Sequence, residues 1–147
     1  DYVKKIIEEN GGLNFWRVNM RPGKPLAYGN YQGIPVIGLP GNPVSSFVAY
    51  HVFVVPAVRK LIGLDPYLRL IVPVKLGEMI ESDGRETYLR AIIHYDGKNW
   101  TGKLVGHQGS GNLSALVLAN ALLIVPSGVK SLPAGEVIQA WIFDRFI

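Results

Sequence analysis

A chain of 147 residues, 48% hydrophobic and 18% charged, can bury the core of one ordinary domain or two small ones and leaves little room for long disordered tails. It holds no cysteine, which excludes a disulfide framework, a zinc–thiolate site and a cysteine nucleophile. The net charge of +4 and pI near 9.4 admit phosphates, nucleic acid or acidic partners, but no run of Lys or Arg exceeds two, which argues against nonspecific nucleic-acid binding.

The sequence opens on Asp1-Tyr-Val-Lys-Lys, in what reads as the middle of a helical unit, and is expected to be part of a larger protein. Residues 2–9 put Val3, Ile6 and Ile7 on one helical face, and Gly11-Gly12 ends that helix. Residues 15–20 predict a short strand on which Arg17 and Arg21, four apart, share a face. Pro22-Gly23 then turns the chain so that Lys24 folds back towards them. Three cations kept close repel one another unless an anion sits between them, and Arg gives two-pronged contacts to an oxyanion or phosphate.

Residues 34–39 form a near-continuous apolar run, as expected of a buried parallel strand. Pro40-Gly41-Asn42-Pro43 is a sharp turn, with Asn42 as N-cap and Pro43 at the first helical position. The helix that follows carries Phe47, Val48, His51, Val52, Val55, Val58 and Ile62 as its apolar stripe, with Pro56 kinking it and Gly63 ending it. Residues 44–62 are the longest apolar stretch, yet they include Ser45, Ser46, His51, Pro56, Arg59 and Lys60 and read as a core helix, not a membrane span. No segment reads as a signal peptide. The strand-to-helix bend at 38–43 offers backbone N–H groups and a helix dipole to an anion. Gly38 and Gly41 would allow close approach there, while Pro40 and Pro43 stiffen the bend and remove two donors. Ordinary turn chemistry explains the same residues, and spacing alone leaves both readings open.

Asp65-Pro66 is the best boundary, dividing the chain into 1–65 and 66–147. The second part is strand-rich. Strands are predicted at 70–76, 87–95, 99–105, 121–125 and 136–143, with turns at Asp96-Gly97, Ser127-Gly128 and Pro133-Ala134-Gly135. Strands at this spacing suggest a small barrel or sandwich. Arg85 and Arg90 flank one of them, and the polar loop Gly106-His107-Gln108-Gly109-Ser110-Gly111 precedes a short helix that Ser110 or Asn112 could cap. That loop fits an anion-binding backbone or a barrel turn that needs its glycines. The three His lack ligand spacing, and His51 sits on the core stripe. Glu78, Glu81, Asp83 and Glu86 suit either Mg²⁺ or a solvated hairpin.

The order D-Y-V-K at 1–4, F-W-R-V-N-M-R-P-G-K-P-L-A-Y-G at 15–29, G-L-P-G-N-P-V-S-S-F at 38–47, G-H-Q-G-S-G-N-L-S-A-L at 106–116 and N-A-L-L-I-V-P at 120–126 resembles the MoeA/gephyrin-E family of molybdopterin molybdenumtransferases. The resemblance covers essentially the whole chain. It implies the second half of the family's third domain, an α/β fold with a partial molybdopterin-binding-type parallel sheet, followed by its fourth, a small β-barrel. It implies insertion of molybdate into adenylylated molybdopterin (a pterin-nucleotide substrate) with release of AMP and help from Mg²⁺. Carried over by motif, Asp1, Arg17, Arg21 and Lys24 are the catalytic candidates, with Asp1 also a metal ligand. Lys stands at positions 17 and 21 in some members. Gly38, Pro40, Gly41, Asn42, Pro43, Ser45, Arg90 and Ser110 are the substrate-binding candidates. The resemblance further implies N-terminal domains absent from this sequence, a homodimer, and a cytoplasmic protein that binds neither nucleic acid nor membrane. These 147 residues alone are expected to be inactive. A non-catalytic docking module of the same family is the alternative, and an RNA or DNA binder ranks last.

Overall fold

The computed structural model describes residues 2–68, 70–109 and 111–143. Helix α1 (Tyr2–Asn10) buries Ile7, a member of the predicted apolar face. Gly11 and Gly12 end α1 and also begin strand β1 (Gly11–Phe15). A Cβ on Gly11 would lie 1.8 Å from the Asn30 carbonyl oxygen, so the strand pairing requires glycine there. Then follow β2 (Met20–Arg21), β3 (Ala27–Tyr31) and β4 (Ile34–Gly38). Strands β1, β3 and β4 form one sheet with β3 in the middle. Gln32 and Gly33 take φ of 50° and 86° between β3 and β4, the left-handed pair that a tight hairpin needs. Asn30 Oδ1 accepts the Gly33 N–H at 2.6 Å.

Two local expectations change here. The strand expected at 15–20 is replaced by β1, which ends at Phe15, and by β2, which begins at Met20, with irregular chain between. Residues 34–39 are not a buried parallel strand. β4 pairs antiparallel with β3 and is half exposed, with Ile34 at 65% exposure. The apolar run looked like a doubly covered strand, but within the described residues β4 has a neighbour on one side alone.

Asn42 caps the long helix, its Oδ1 accepting the N–H groups of Val44 (3.1 Å) and Ser45 (3.2 Å). The helix runs as α2 (Pro43–Ala49), a wide π-turn (Tyr50–Val54) and α3 (Val55–Leu61). Pro56 has no N–H, and its ring opposes the carbonyl one turn back. The widened turn, closed by the Val55 N–H on the Tyr50 carbonyl, lies just before it and lets the helix continue. Residues Pro43–Leu61 are long and apolar enough to cross a membrane by length and composition. In this chain one face of the helix is covered, and 22% of the apolar stretch is buried, less than a core helix would show. Val48 is buried in one cluster with Met20, Tyr88 and Leu122, and Phe47, Val52 and Phe53 pack against it.

The strand-rich part contains β5 (Ile71–Leu76), β6 (Ile80–Glu81), β7 (Glu86–Tyr95), β8 (Trp100–Leu104), helix α4 (Ser114–Leu118), β9 (Ala121–Val125), β10 (Ser131–Leu132) and β11 (Val137–Ile142). The order β7–β8–β5–β11–β9 returns to β7 and closes a barrel of five strands. The α/β part followed by a small barrel is thus the architecture expected from the sequence. Strand β5 alternates exposed and buried residues, with Val72, Val74 and Leu76 inward. Strand β7 breaks that rule: Thr87, Tyr88, Leu89, Arg90 and Ala91 are all buried. Its inner side fills the barrel, while its outer side is covered by the helix and by the loop at 106–112. Burying Val48 and Leu122 in that seam contributes roughly 1.5–3 kcal/mol each. Strand β2 adds to the barrel edge, pairing parallel with β7 at Met20↔Glu86 and Arg21↔Thr87. The first half is thereby joined to the barrel by backbone as well as by side chains.

Candidate functional site

The turn Arg21-Pro22-Gly23-Lys24 begins as β2 ends. The Lys24 carbonyl accepts the N–H groups of Val18 (3.0 Å) and Leu26 (3.1 Å), which closes the loop on itself. Gly23 has φ of 111°, and the place a Cβ would take is 3.3 Å from Met20 Cε and 3.7 Å from the Ser45 carbonyl oxygen. The turn therefore sits on the first turn of α2.

The three cations are not arranged as a strand face. Residues 16–19 are irregular, so Arg17 and Arg21 do not share one pleat. The Arg17 guanidinium lies over the Trp16 ring at 4.1 Å from its centroid, and Lys4 Nζ lies 4.6 Å from the same centroid. Arg21 turns the other way, its Nη1 3.5 Å from Asp83 Oδ2 on the barrel. Lys24 is exposed. Mutual repulsion is eased by an indole and a carboxylate, which sequence spacing had not considered.

The bend at 38–43 also differs in detail from the expectation. A Cβ on Gly38 would meet Val3 Cγ1 at 2.8 Å and Ala27 Cβ at 3.2 Å, so this glycine lets α1 pack on β4. Gly41 has open space around it, and Gly41, Asn42 and Pro43 are exposed while Pro40 is buried. The first-turn donors are already used: Val44 and Ser45 N–H on Asn42 Oδ1, and Ser46 N–H on the Asn42 carbonyl at 2.8 Å. What the bend offers a ligand is its dipole and its exposed rim, not those three N–H groups.

Arg90 is 1% exposed, and the loop at 106–112 wraps around it. Its Nε donates to Gln108 Oε1 (3.3 Å), Nη1 to the Asn112 carbonyl (3.0 Å), and Nη2 to the carbonyls of Gly109 (3.3 Å) and His107 (3.5 Å). Gln108 also bridges the Arg90 backbone, accepting its N–H at 2.9 Å and donating to its carbonyl at 3.1 Å. Burial lowers the Arg90 pKa, yet carbonyl oxygens on every side favour the cation. The glycine-rich loop thus points carbonyls inward at a guanidinium, the opposite polarity to an anion nest. Asn112 Oδ1 takes the Ala115 N–H (3.3 Å) and the Ser114 hydroxyl (2.8 Å) at the start of α4. Arg21, Pro22, Thr87, Tyr88, Leu89, Arg90 and Gln108 line one crevice of about 30 Å³. In it the structure brings two of the predicted residues, Arg21 and Arg90, together across the seam. Asp1 and Ser110 lie outside the described residues.

Sequence reasoning left Asp83 and Arg85 without a joint role. The Arg85 side chain reaches both Asp83 oxygens from Nε (3.1 Å each) and Oδ2 from Nη2, and its backbone N–H donates to Oδ1 at 3.1 Å. Those bonds, with the charge of Arg21 adding least, hold the Asp83 carboxyl at about 2. The S-D-G-R turn was the available signal, since an Asp two residues before an Arg can cap its own turn. Nearby, burial and a hydrogen bond to Glu86 push the Tyr88 hydroxyl well above its ordinary range. Glu78 Oε1 accepts the Leu104 N–H at 2.8 Å. These acidic groups are committed to arginine, tyrosine and backbone. Among the described residues no group of three His, Cys, Asp or Glu could hold a metal ion, so they do not by themselves fit Mg²⁺.

With this geometry in place, similarity to known proteins is specific. Residues 1–60 match the probable molybdopterin binding domain, and residues 73–143 match the MoeA C-terminal region, domain IV. Gephyrin of Dictyostelium discoideum is 37% identical over 165 aligned positions, covering 95% of this chain and 23% of that protein. A molybdopterin molybdenumtransferase of Haemophilus influenzae is 31% identical, covering 100% of this chain and 37% of that one. Another from Nostoc sp. is 38% identical, covering 92% and 33%. The crystal structure of the molybdopterin biosynthesis MoeA protein from Pyrococcus horikosii superposes with a TM-score of 0.79 at 27% identity, covering 97% of this chain and 35% of that one. The chain spans less than two fifths of the length of each of these relatives. Both matched regions, in the same order and on the same fold, place this chain in the MoeA/gephyrin family of molybdopterin molybdenumtransferases.

Proposed function

We propose that the protein carrying this chain inserts molybdate into adenylylated molybdopterin, releasing AMP, as a step of molybdenum cofactor biosynthesis. The observation that carries the reading is the seating of the Arg21–Lys24 turn on the first turn of α2, with Arg21 and Arg90 on one crevice. Arg21 is half exposed and spends one long contact on Asp83. Most of its five donors therefore remain for an oxyanion. Arg17 and Lys24, on the same loop, add positive potential towards molybdate and the pyrophosphate. Gly41, Asn42 and Pro43 form the rim against which the pterin-nucleotide rests, with Ser45 below. Arg90 acts by shaping the loop at 106–112. Fixed cations of this kind offset the charge that builds on the departing phosphate.

Mg²⁺ is proposed for the whole enzyme with Asp1 among its ligands, and no step assigned to the described residues runs through it. The division at Asp65-Pro66, a cytoplasmic location and a homodimer completed by further domains belong to the same proposal. Leu61 and Ile62, 82% and 67% exposed at the end of α3, are apolar surface suited to such a cover. In the whole protein, Arg21→Ala is expected to slow molybdate-dependent AMP release about a hundredfold, the cost of roughly 3 kcal/mol for one transition-state contact. Its melting temperature is expected to stay close to wild type, because the ion pair it loses is exposed. Full turnover in that variant would remove Arg21 from the site.

A further inference from the structure

The Asp83 carboxylate stands between two guanidinium groups from the two halves of the chain. Arg85 grips both of its oxygens, and the same Arg85 donates from Nη1 to the Met20 carbonyl at 3.4 Å. Met20 belongs to β2, the two-residue strand that also carries Arg21. Backbone pairing of β2 with β7 fixes Arg21 opposite Thr87. The Thr87 hydroxyl, on a residue 1% exposed, bonds Ser82 Oγ at 3.0 Å and donates to the Arg85 carbonyl at 2.9 Å, so the hairpin that presents Asp83 is tied down as well. Against this anchored carboxylate Arg21 makes one contact, at 3.5 Å, with half of its side chain exposed.

The division of contacts is unequal. Arg85 supplies nearly all of the neutralisation of Asp83, while Arg21 takes a single long bond. A lone arginine on a two-residue strand has many rotamers, and one directed contact removes most of them while leaving its other donors available. We propose that Asp83 is a positioning residue: fixed by Arg85, its carboxylate aims the Arg21 guanidinium at the oxyanion, so that the barrel orients a cation of the first half. The inference rests on the reading of Arg21 as an oxyanion-binding group. A merely structural ion pair at this exposed place would contribute little to stability and nothing specific to turnover.

The test uses the whole protein as wild type, Asp83→Asn, Asp83→Glu, Arg21→Ala and the double variant R21A/D83N. Molybdate-dependent AMP release and thermal melting are measured on each. D83N is expected to lower kcat about tenfold, with a melting temperature within about 2 °C of wild type. D83E, which keeps the carboxylate, is expected to return to within about threefold of wild type. The double variant is expected to be no slower than R21A, since Asp83 has nothing left to aim. D83N at the wild-type rate, or a double variant slower than R21A, overturns the inference and leaves the role of Arg21 standing. Loss of activity in D83N and D83E alike, in step with lost stability, marks a structural role and overturns it too. R21A at full rate, or a wild-type protein that inserts no molybdenum, sinks the reading of the site and this inference with it.

Discussion

Replacing Arg90 by alanine removes the group on which the loop at 106–112 is assembled. The side chain is 1% exposed, and three of its nitrogens bond the Gln108 side chain and the backbone carbonyls of His107, Gly109 and Asn112. A hydrogen bond to a charged group contributes about 1.5–3 kcal/mol. The contacts are not additive, and water enters part of the space. Counting the two contacts to Asn112 and Gln108 as decisive gives a loss of roughly 3–6 kcal/mol. For a folded unit of this chain's length that lowers the melting temperature by about 6–24 °C. Calorimetry reads the shift, and amide hydrogen exchange at Gly109 and Asn112 shows whether this loop opens first. Arg90→Lys is expected to fall between the two, because a single ammonium cannot span carbonyls on three sides. An Arg90→Ala protein melting within about 2 °C of wild type would refute the idea that the guanidinium is a structural hub.

Asn42→Ala removes the acceptor for the Val44 and Ser45 N–H groups and is expected to cost about 1 kcal/mol in a denaturant titration; an unchanged midpoint would contradict the cap. Gly102→Ala places a Cβ 2.7 Å from Val74 Cγ1 and 3.1 Å from Ile93 Cγ2. That crowding inside the barrel is expected to destabilise by about 1–3 kcal/mol, and a neutral result would show the barrel able to relax. Asp83 is held at about 2 against an ordinary 3.8. A depressed carboxyl supports the folded state fully above its unfolded pKa and loses that support as pH falls through the folded one. The slope of melting temperature against pH between about 4 and 2 should therefore be shallower in Asp83→Asn than in wild type. Equal slopes would show that its ion pair does not contribute.

Local signals carried much of the fold. The period of Val3, Ile6 and Ile7 predicted α1, and Asn42-Pro43 predicted the start of α2 with its cap. The apolar run at 121–125 is β9, with the same bounds. What failed depends on partners distant in sequence. Strand β2 exists because Met20 and Arg21 pair with Glu86 and Thr87, some 66 positions away, and nothing within residues 15–20 announces that. The hairpin of β3 and β4 turns on Gln32-Gly33, not on the Asn-Gly or Asp-Gly pair that signals such turns. Arg90 sits in an apolar strand, where a charge usually marks the solvent side. Its burial becomes intelligible once the carbonyl-rich loop at 106–112 is seen folded over it. The same limit applies to the site. Motif order proposes Arg21 and the bend at 38–43 as site residues, but the placing of Arg17 on Trp16 and of Arg21 on Asp83 is a matter of side-chain direction.

The central claim is that the guanidinium of Arg21, held at the seam beside Asp83, grips an oxyanion. Isothermal titration of molybdate into the whole protein, without adenylylated molybdopterin so that no turnover occurs, tests it most directly when wild type and Arg21→Ala are compared. Loss of one charge-assisted contact predicts affinity weaker by about 10- to 100-fold with the melting temperature unchanged. Equal molybdate affinity in the two proteins would contradict the claim.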